Sequence, residues 1–200
     1  MSRGFGKVMG CSKAGSPMED YDLERLTVLV VEDSLFIRSL IVSSLKLLGV
    51  GQVIPKEHGG EAIELLKLIS IDPMLAGVQN IDVVFSNWEM RPVDGMMLLR
   101  WIRRHKESPD RFVPFVMMTA YSDKDRVAKA RDMGVTEFVY KPFTVKALAE
   151  RMQAIIERPR QFVHTRTYFG PDRRRQQLFF DYEERRELTD KSPGVEIIYG

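Results

Sequence analysis

The chain has 200 residues, 30 Lys and Arg against 28 Asp and Glu, and a single cysteine, Cys11. That length suits one domain with extensions and buries a core without staples; one cysteine excludes a disulfide framework and a cysteine-based zinc site, and points to a reducing compartment. No apolar run approaches the roughly 20 residues that span a bilayer, residues 1–20 lack the apolar stretch of a signal peptide, and a net charge of +2 argues against a wholly basic nucleic-acid binder. A cytoplasmic protein is expected.

Residues 1–24 are rich in Gly, Ser and Met, lack periodicity, and read as a mobile extension. Leu26–Val31 (LTVLVV) is a continuous β-branched run, as in a strand buried on both faces. Ser34 follows as an N-cap, and Phe36, Ile37, Leu40, Ile41, Leu45 and Leu48 recur at helical spacing up to Gly49. Val53–Ile54 is a weak second strand and Glu61–Leu68 a short amphipathic helix. Ile81–Ser86 is a third strand and Gly95–Arg104 a third helix. Val113–Thr119 is a fourth strand, with Pro114 near its start, where a missing N–H is tolerated. Asp125–Met133 is a helix, Glu137–Tyr140 a fifth strand, and Thr144–Glu157 a helix capped by Thr144. Strands alternating with helices predict a doubly wound α/β fold: a parallel five-stranded sheet covered on both faces.

Past Glu157 the neutral sum separates. From Arg158 to Gln176 six arginines face one acid, Asp172, and from Gln177 to Gly200 six acids face three bases. A neutral body therefore carries a basic stretch and then an acidic end, the pattern of an interaction tail or of a tail that pairs with itself.

In doubly wound folds ligands bind at the carboxyl ends of the strands. There the sequence has Glu32 and Asp33 after the first strand, Asn87 after the third, Thr119 closing the fourth and Lys141 after the fifth. Paired carboxylates suit Mg2+. A threonine hydroxyl can hydrogen-bond a phosphoryl oxygen, and a lysine can neutralise one. A central nucleophile is missing.

This constellation resembles the receiver domain of bacterial two-component response regulators, close to the single-domain chemotaxis type, over about residues 25–157. The likeness rests on VVEDS (30–34), SNWEMRPVDG (86–95), MMTAYS (117–122) and VYKPFT (139–144). It implies a flavodoxin-like (βα)5 fold and phosphorelay signalling by protein contact, not metabolic catalysis. It implies a histidine kinase or phosphotransferase protein upstream, and a target protein at the face made by 125–133, 137–140 and 144–157. Glu32 and Asp33 are then the acids that hold Mg2+, with the backbone carbonyl of Glu89 as a further ligand. Thr119 is the switch hydroxyl, Phe138 takes the aromatic switch position, and Lys141 senses phosphate.

The family's acceptor is an aspartate at the end of strand three, and Asn87 stands there. A carboxylate can attack a phosphoryl donor; a carboxamide is an uncharged, weak nucleophile. Asn87 thus implies a phosphorylation-defective chain with weakened Mg2+ binding, one anionic ligand being lost. A natural pseudo-receiver and an Asp→Asn replacement are both compatible with the sequence.

The segment after Glu157 (158–200) is too short for a DNA-binding output domain and lacks a helix-turn-helix pattern, so DNA binding is not expected. Its arginines alternate with Phe162, Tyr168 and Phe169, a mix that can grip phosphates and stack on bases. YFGPDRRR resembles the arginine-rich tails of certain stand-alone receivers that bind cyclic di-GMP. On that reading Arg166, Tyr168, Arg173, Arg174 and Arg175 are candidate ligand or partner contacts. The bland alternative is a basic linker that pairs with the acidic end. His164, with no metal-ligand partner near it in sequence, reads as a surface residue. Val195–Tyr199 is apolar enough to be a strand that adds to an edge, its own or a partner's.

Overall fold

In a computed structural model of the chain, the structure describes residues 22–120, 123–166, 168–172 and 194–198. A short 3-10 turn, Leu23–Arg25, leads into β1 (Thr27–Val31) and α1 (Leu35–Leu47). Next come β2 (Gln52–Lys56), α2 (Gly59–Ile71), α3 (Pro73–Ala76), β3 (Val83–Asn87) and α4 (Gly95–Arg104). β4 (Phe115–Thr119), α5 (Lys124–Met133), β5 (Glu137–Tyr140) and α6 (Val145–Glu157) complete the alternation. Three short strands follow: β6 (Phe162–His164), β7 (Phe169–Pro171) and β8 (Glu196–Ile198).

The first five strands form one parallel sheet in the order β2-β1-β3-β4-β5. Side chains alternate across it, because successive residues of a strand point to opposite faces. Leu29, Val31, Val84, Phe115, Met117 and Phe138 face α2, α4 and α5. Val28, Val30, Val83, Phe85, Val116, Met118 and Val139 face α1 and α6. Both faces are therefore covered, which is why these strands read as continuous apolar runs. The direction of winding reverses at β1, and the crevice at the carboxyl ends of β1 and β3 is the switch point of the fold.

Local chemistry sets the helix starts. Ser34 accepts from the N–H of Ile37 (3.4 Å) and Thr144 from that of Ala147 (3.2 Å). α2 begins before the predicted Glu61 because the His58 ring accepts from the N–H groups of Gly60 and Glu61. Asp72 caps the extra turn α3 in the same way. In α1 the expected apolar stripe is wider than the buried one: Ile41 and Leu45 are buried, whereas Phe36 is 78% exposed and Leu40 45%. β2 is longer than the Val53–Ile54 pair and lies at the sheet edge with Pro55 in it.

The residues after Glu157 do not all trail away. β6 pairs antiparallel with β7 and with β8, so the apolar Val195–Tyr199 segment contributes a strand to an edge within its own chain. This small sheet packs at the amino-terminal ends of β4 and β5. Phe162 and Phe169 meet Phe112 edge-on at ring-centroid distances of 5.1 and 5.5 Å. Arg103 lies fully buried beneath them, its guanidinium 5.1 Å from the Phe162 ring centre. Arg103 Nε donates to the Gly134 carbonyl (3.1 Å) and an Nη to that of Arg111 (2.7 Å). Its other Nη is buried with no hydrogen-bond partner among the described residues. Glu137, in the first position of β5, receives Arg160 at 2.8 Å and Arg151 at 3.5 Å. Leu23, inside the predicted extension, is buried in the core.

Candidate functional site

Four loops of the crevice deliver polar groups to one point. Glu32 follows β1, and its side chain is 1% exposed; Asp33, next to it, is exposed. Arg38, one turn into α1, donates to the carbonyl oxygens of Glu32 and Asp33 and fixes this loop, a role nothing in the local pattern announced. Asn87 ends β3, where the Trp88 N–H donates to the Met118 carbonyl (2.9 Å) and ties the loop to β4. Gly95 opens α4 so close to this point that a Cβ there would lie 2.2 Å from the Asn87 carbonyl oxygen. Asp94 caps that helix through the Met97 N–H (2.7 Å). Thr119, buried, closes β4, and its carbonyl accepts from the N–H of Lys141 (2.8 Å), which follows β5.

The Asn87 amide nitrogen donates to three oxygens: Glu32 Oε1 (3.3 Å), Asp33 Oδ1 (3.0 Å) and the Glu89 carbonyl (2.8 Å). Lys141 Nζ bridges Glu32 Oε2 (2.6 Å) and Asn87 Oδ1 (3.1 Å). This amide orientation is the one the chemistry allows. Reversed, it would set NH2 against ammonium and a carbonyl against two carboxylates. Burial pushes the Glu32 carboxyl above its ordinary range, and the hydrogen bond and charge of Lys141 pull it back.

Two carboxylates and one carbonyl converge here; among the described residues no cluster gathers three His, Cys, Asp or Glu side chains. The Glu89 side chain points elsewhere, to Arg126 of α5 at 3.4 Å. Phe138 is buried and stacks on Tyr140, with ring centres 6.4 Å apart. The structure thus brings Glu32, Asp33, Asn87, the Glu89 carbonyl and Lys141 into one hydrogen-bonded cluster. Arg166 and Tyr168 lie between β6 and β7, at the other end of the sheet. Arg166 is exposed, and the Tyr168 hydroxyl donates to the Pro171 carbonyl (2.7 Å). Arg173, Arg174 and Arg175 fall outside the described residues. His164 is exposed, with Glu196 Oε2 at 3.4 Å. Among the described residues no helix is long and apolar enough to cross a membrane.

Comparisons with known proteins converge on one family. The family model described as "Response regulator receiver domain" matches residues 28–153. The chemotaxis protein CheY homolog of Campylobacter jejuni is 30% identical over 131 residues, covering 66% of this chain and 92% of the relative. CheY1 of Helicobacter pylori is also 30% identical over 131 residues, covering 66% and 97%. Among solved structures, the chemotaxis protein CheY4 of Vibrio cholerae superposes with a TM-score of 0.54 at 24% identity, covering 65% of this chain and 98% of its own. A putative response regulator from Chloroflexus aurantiacus gives 0.56 at 22% identity, covering 66% and 98%. With the five-stranded parallel sheet and the polar cluster at its switch point, these matches establish that the chain belongs to the response regulator receiver domain family, of the CheY-like kind that serves two-component signalling.

Proposed function

We propose that this chain is a single-domain receiver that signals by protein contact and takes no phosphoryl group at position 87. The observation that carries this is the carboxamide of Asn87 at the centre of the cluster, in the crevice where a receiver is charged. Its oxygen has no negative charge to attack a phosphoryl donor, and it is already held by Lys141. Thr119 and Lys141, at the ends of β4 and β5, are the groups suited to a phosphoryl oxygen, and Phe138 lies behind them in the core. The upstream partner is a histidine kinase or phosphotransferase protein. The downstream target reads the face of α5, β5 and α6, in the cytoplasm.

Receiver domains generally hold Mg2+ at this acidic site. The residues here do not fit that ion as they stand, because one oxygen of each of its would-be ligands, Glu32, Asp33 and the Glu89 carbonyl, already accepts from the Asn87 amide. No step of the proposed function runs through a metal.

Incubation with acetyl phosphate and Mg2+, followed by intact-mass measurement, tests the reading. The chain should gain no phosphoryl mass, and Asn87→Asp should gain it. Incorporation into the unmodified chain that Asn87→Ala abolishes would overturn it.

A further inference from the structure

We infer that the amide nitrogen of Asn87 takes the place of the divalent cation in this pocket, so that the cluster is complete without metal and Mg2+ is excluded by a plug and not merely weakened by a lost charge. The inference rests on the reading of Glu32, Asp33 and the Glu89 carbonyl as the family's cation ligands. A cation in a receiver would be pulled in by those three oxygens. Here one NH2 group reaches all three, at 3.3, 3.0 and 2.8 Å. An amide nitrogen bears two N–H bonds, so three acceptors at these distances share its two protons and surround it on one side.

The other end of the side chain makes the arrangement hard to undo. For Asn87 to become a metal ligand, its oxygen would have to turn toward the carboxylates. That rotation brings NH2 against Lys141 Nζ, where Oδ1 now accepts at 3.1 Å. The lysine is itself anchored on the buried Glu32 at 2.6 Å, so it cannot withdraw without leaving that carboxylate unpaired. Lys141 therefore holds the plug in place, and cation entry and the Lys141–Asn87 hydrogen bond exclude each other. In function this describes a pocket whose resting arrangement ignores the Mg2+ level.

Asn87→Ala separates the plug from a simple charge count. Asparagine and alanine are both uncharged, so the pocket keeps its net charge. The alanine variant lacks any side-chain oxygen, and a charge-and-ligand count expects it to bind Mg2+ no better than the unmodified chain. Removal of the plug predicts the opposite, roughly tenfold or tighter binding in the variant. Titration with MgCl2 across the millimolar range, by calorimetry and by the side-chain amide resonances of Asn87, gives the readout. In the unmodified chain those resonances should stay unshifted, and Asn87→Asp should bind saturably. The resonance measurement on the unmodified chain needs no variant to fold.

Saturable Mg2+ binding by the unmodified chain, with the Asn87 amide resonances moving, would overturn the inference. So would a folded Asn87→Ala chain that binds no tighter than its parent. If the chain binds Mg2+ but takes no phosphoryl group from acetyl phosphate, the plug is wrong and the receiver reading stands. Phosphoryl uptake at Asn87 overturns that reading, whatever the cation does.

Discussion

Arg103 shows what a single side chain can cost and how to detect it. It is fully buried, bound to two carbonyls, with one Nη left without a partner among the described residues. Burial pushes its guanidinium well below its ordinary range, down to about 9, opposed in part by the charge of Asp110. At neutral pH both folded and unfolded chains carry the proton, and the folded state bears the full desolvation cost. Above about pH 9 the unfolded chain binds more protons than the folded one, so this group's contribution to stability rises with pH. Arg103→Met lacks that dependence. Urea midpoints at about pH 8 and about pH 10 should shift the difference in favour of the unmodified chain by about 1 kcal/mol. No change in the gap would mean that the guanidinium keeps its ordinary affinity for the proton. Gly95 acts through space alone. An added Cβ would sit 2.2 Å from the Asn87 carbonyl oxygen, so backbone must move. Gly95→Ala should cost about 1–3 kcal/mol in urea unfolding, the range of overpacking.

Among the elements, those governed by burial were legible in the sequence, while those governed by distant partners were not. The β-branched run at the first strand, the helix at Gly95–Arg104 and the strand at Glu137–Tyr140 stand where periodicity put them. The four chemically marked strand ends, carrying Glu32, Asp33, Asn87, Thr119 and Lys141, could be listed from order alone. Their mutual geometry could not, since a hydrogen bond between positions 32 and 141 has no local signature. β6 and β7 have three residues each, too few for an alternation to show; β8 falls within the apolar Val195–Tyr199 segment, but its pairing with β6 across more than thirty positions has no local sign. The acid in β5 is a signal the sequence does carry: Glu137 in a buried strand calls for cationic partners, and Arg151 and Arg160 supply them. In α1 apolar spacing runs wider than burial. Its first turn extends beyond the covered area, and Phe36→Ser should change the unfolding free energy by no more than about 0.5 kcal/mol. A loss of several times that amount would place Phe36 in the core.

For the whole molecule, the basic segment is in part a structural component. Phe162 is buried against Phe112, Arg160 pairs with Glu137, and Arg111 lies over the Phe169 ring with its guanidinium carbon 4.0 Å from the ring centre. Removing residues 158–200 uncovers Arg103 and deletes the Phe162 burial, worth about 1.5–3 kcal/mol alone. The shortened chain should melt about 5 °C or more below the full one by circular dichroism; equal melting would show that the small sheet adds nothing to the receiver. The edge strand β2 carries a different kind of information. Gln52 and Glu32 bond across to β1 and β2 respectively, through Leu26 and Lys56 carbonyls, so residues 52, 54 and 56 turn inward and 53 and 55 outward. Pro55 thus spends no ladder donor on its neighbour and presents a pyrrolidine ring where a sixth strand would look for an N–H. The rim of the sheet is thereby capped against growth, so copies crowded at high concentration cannot zip into a continuous ribbon along it.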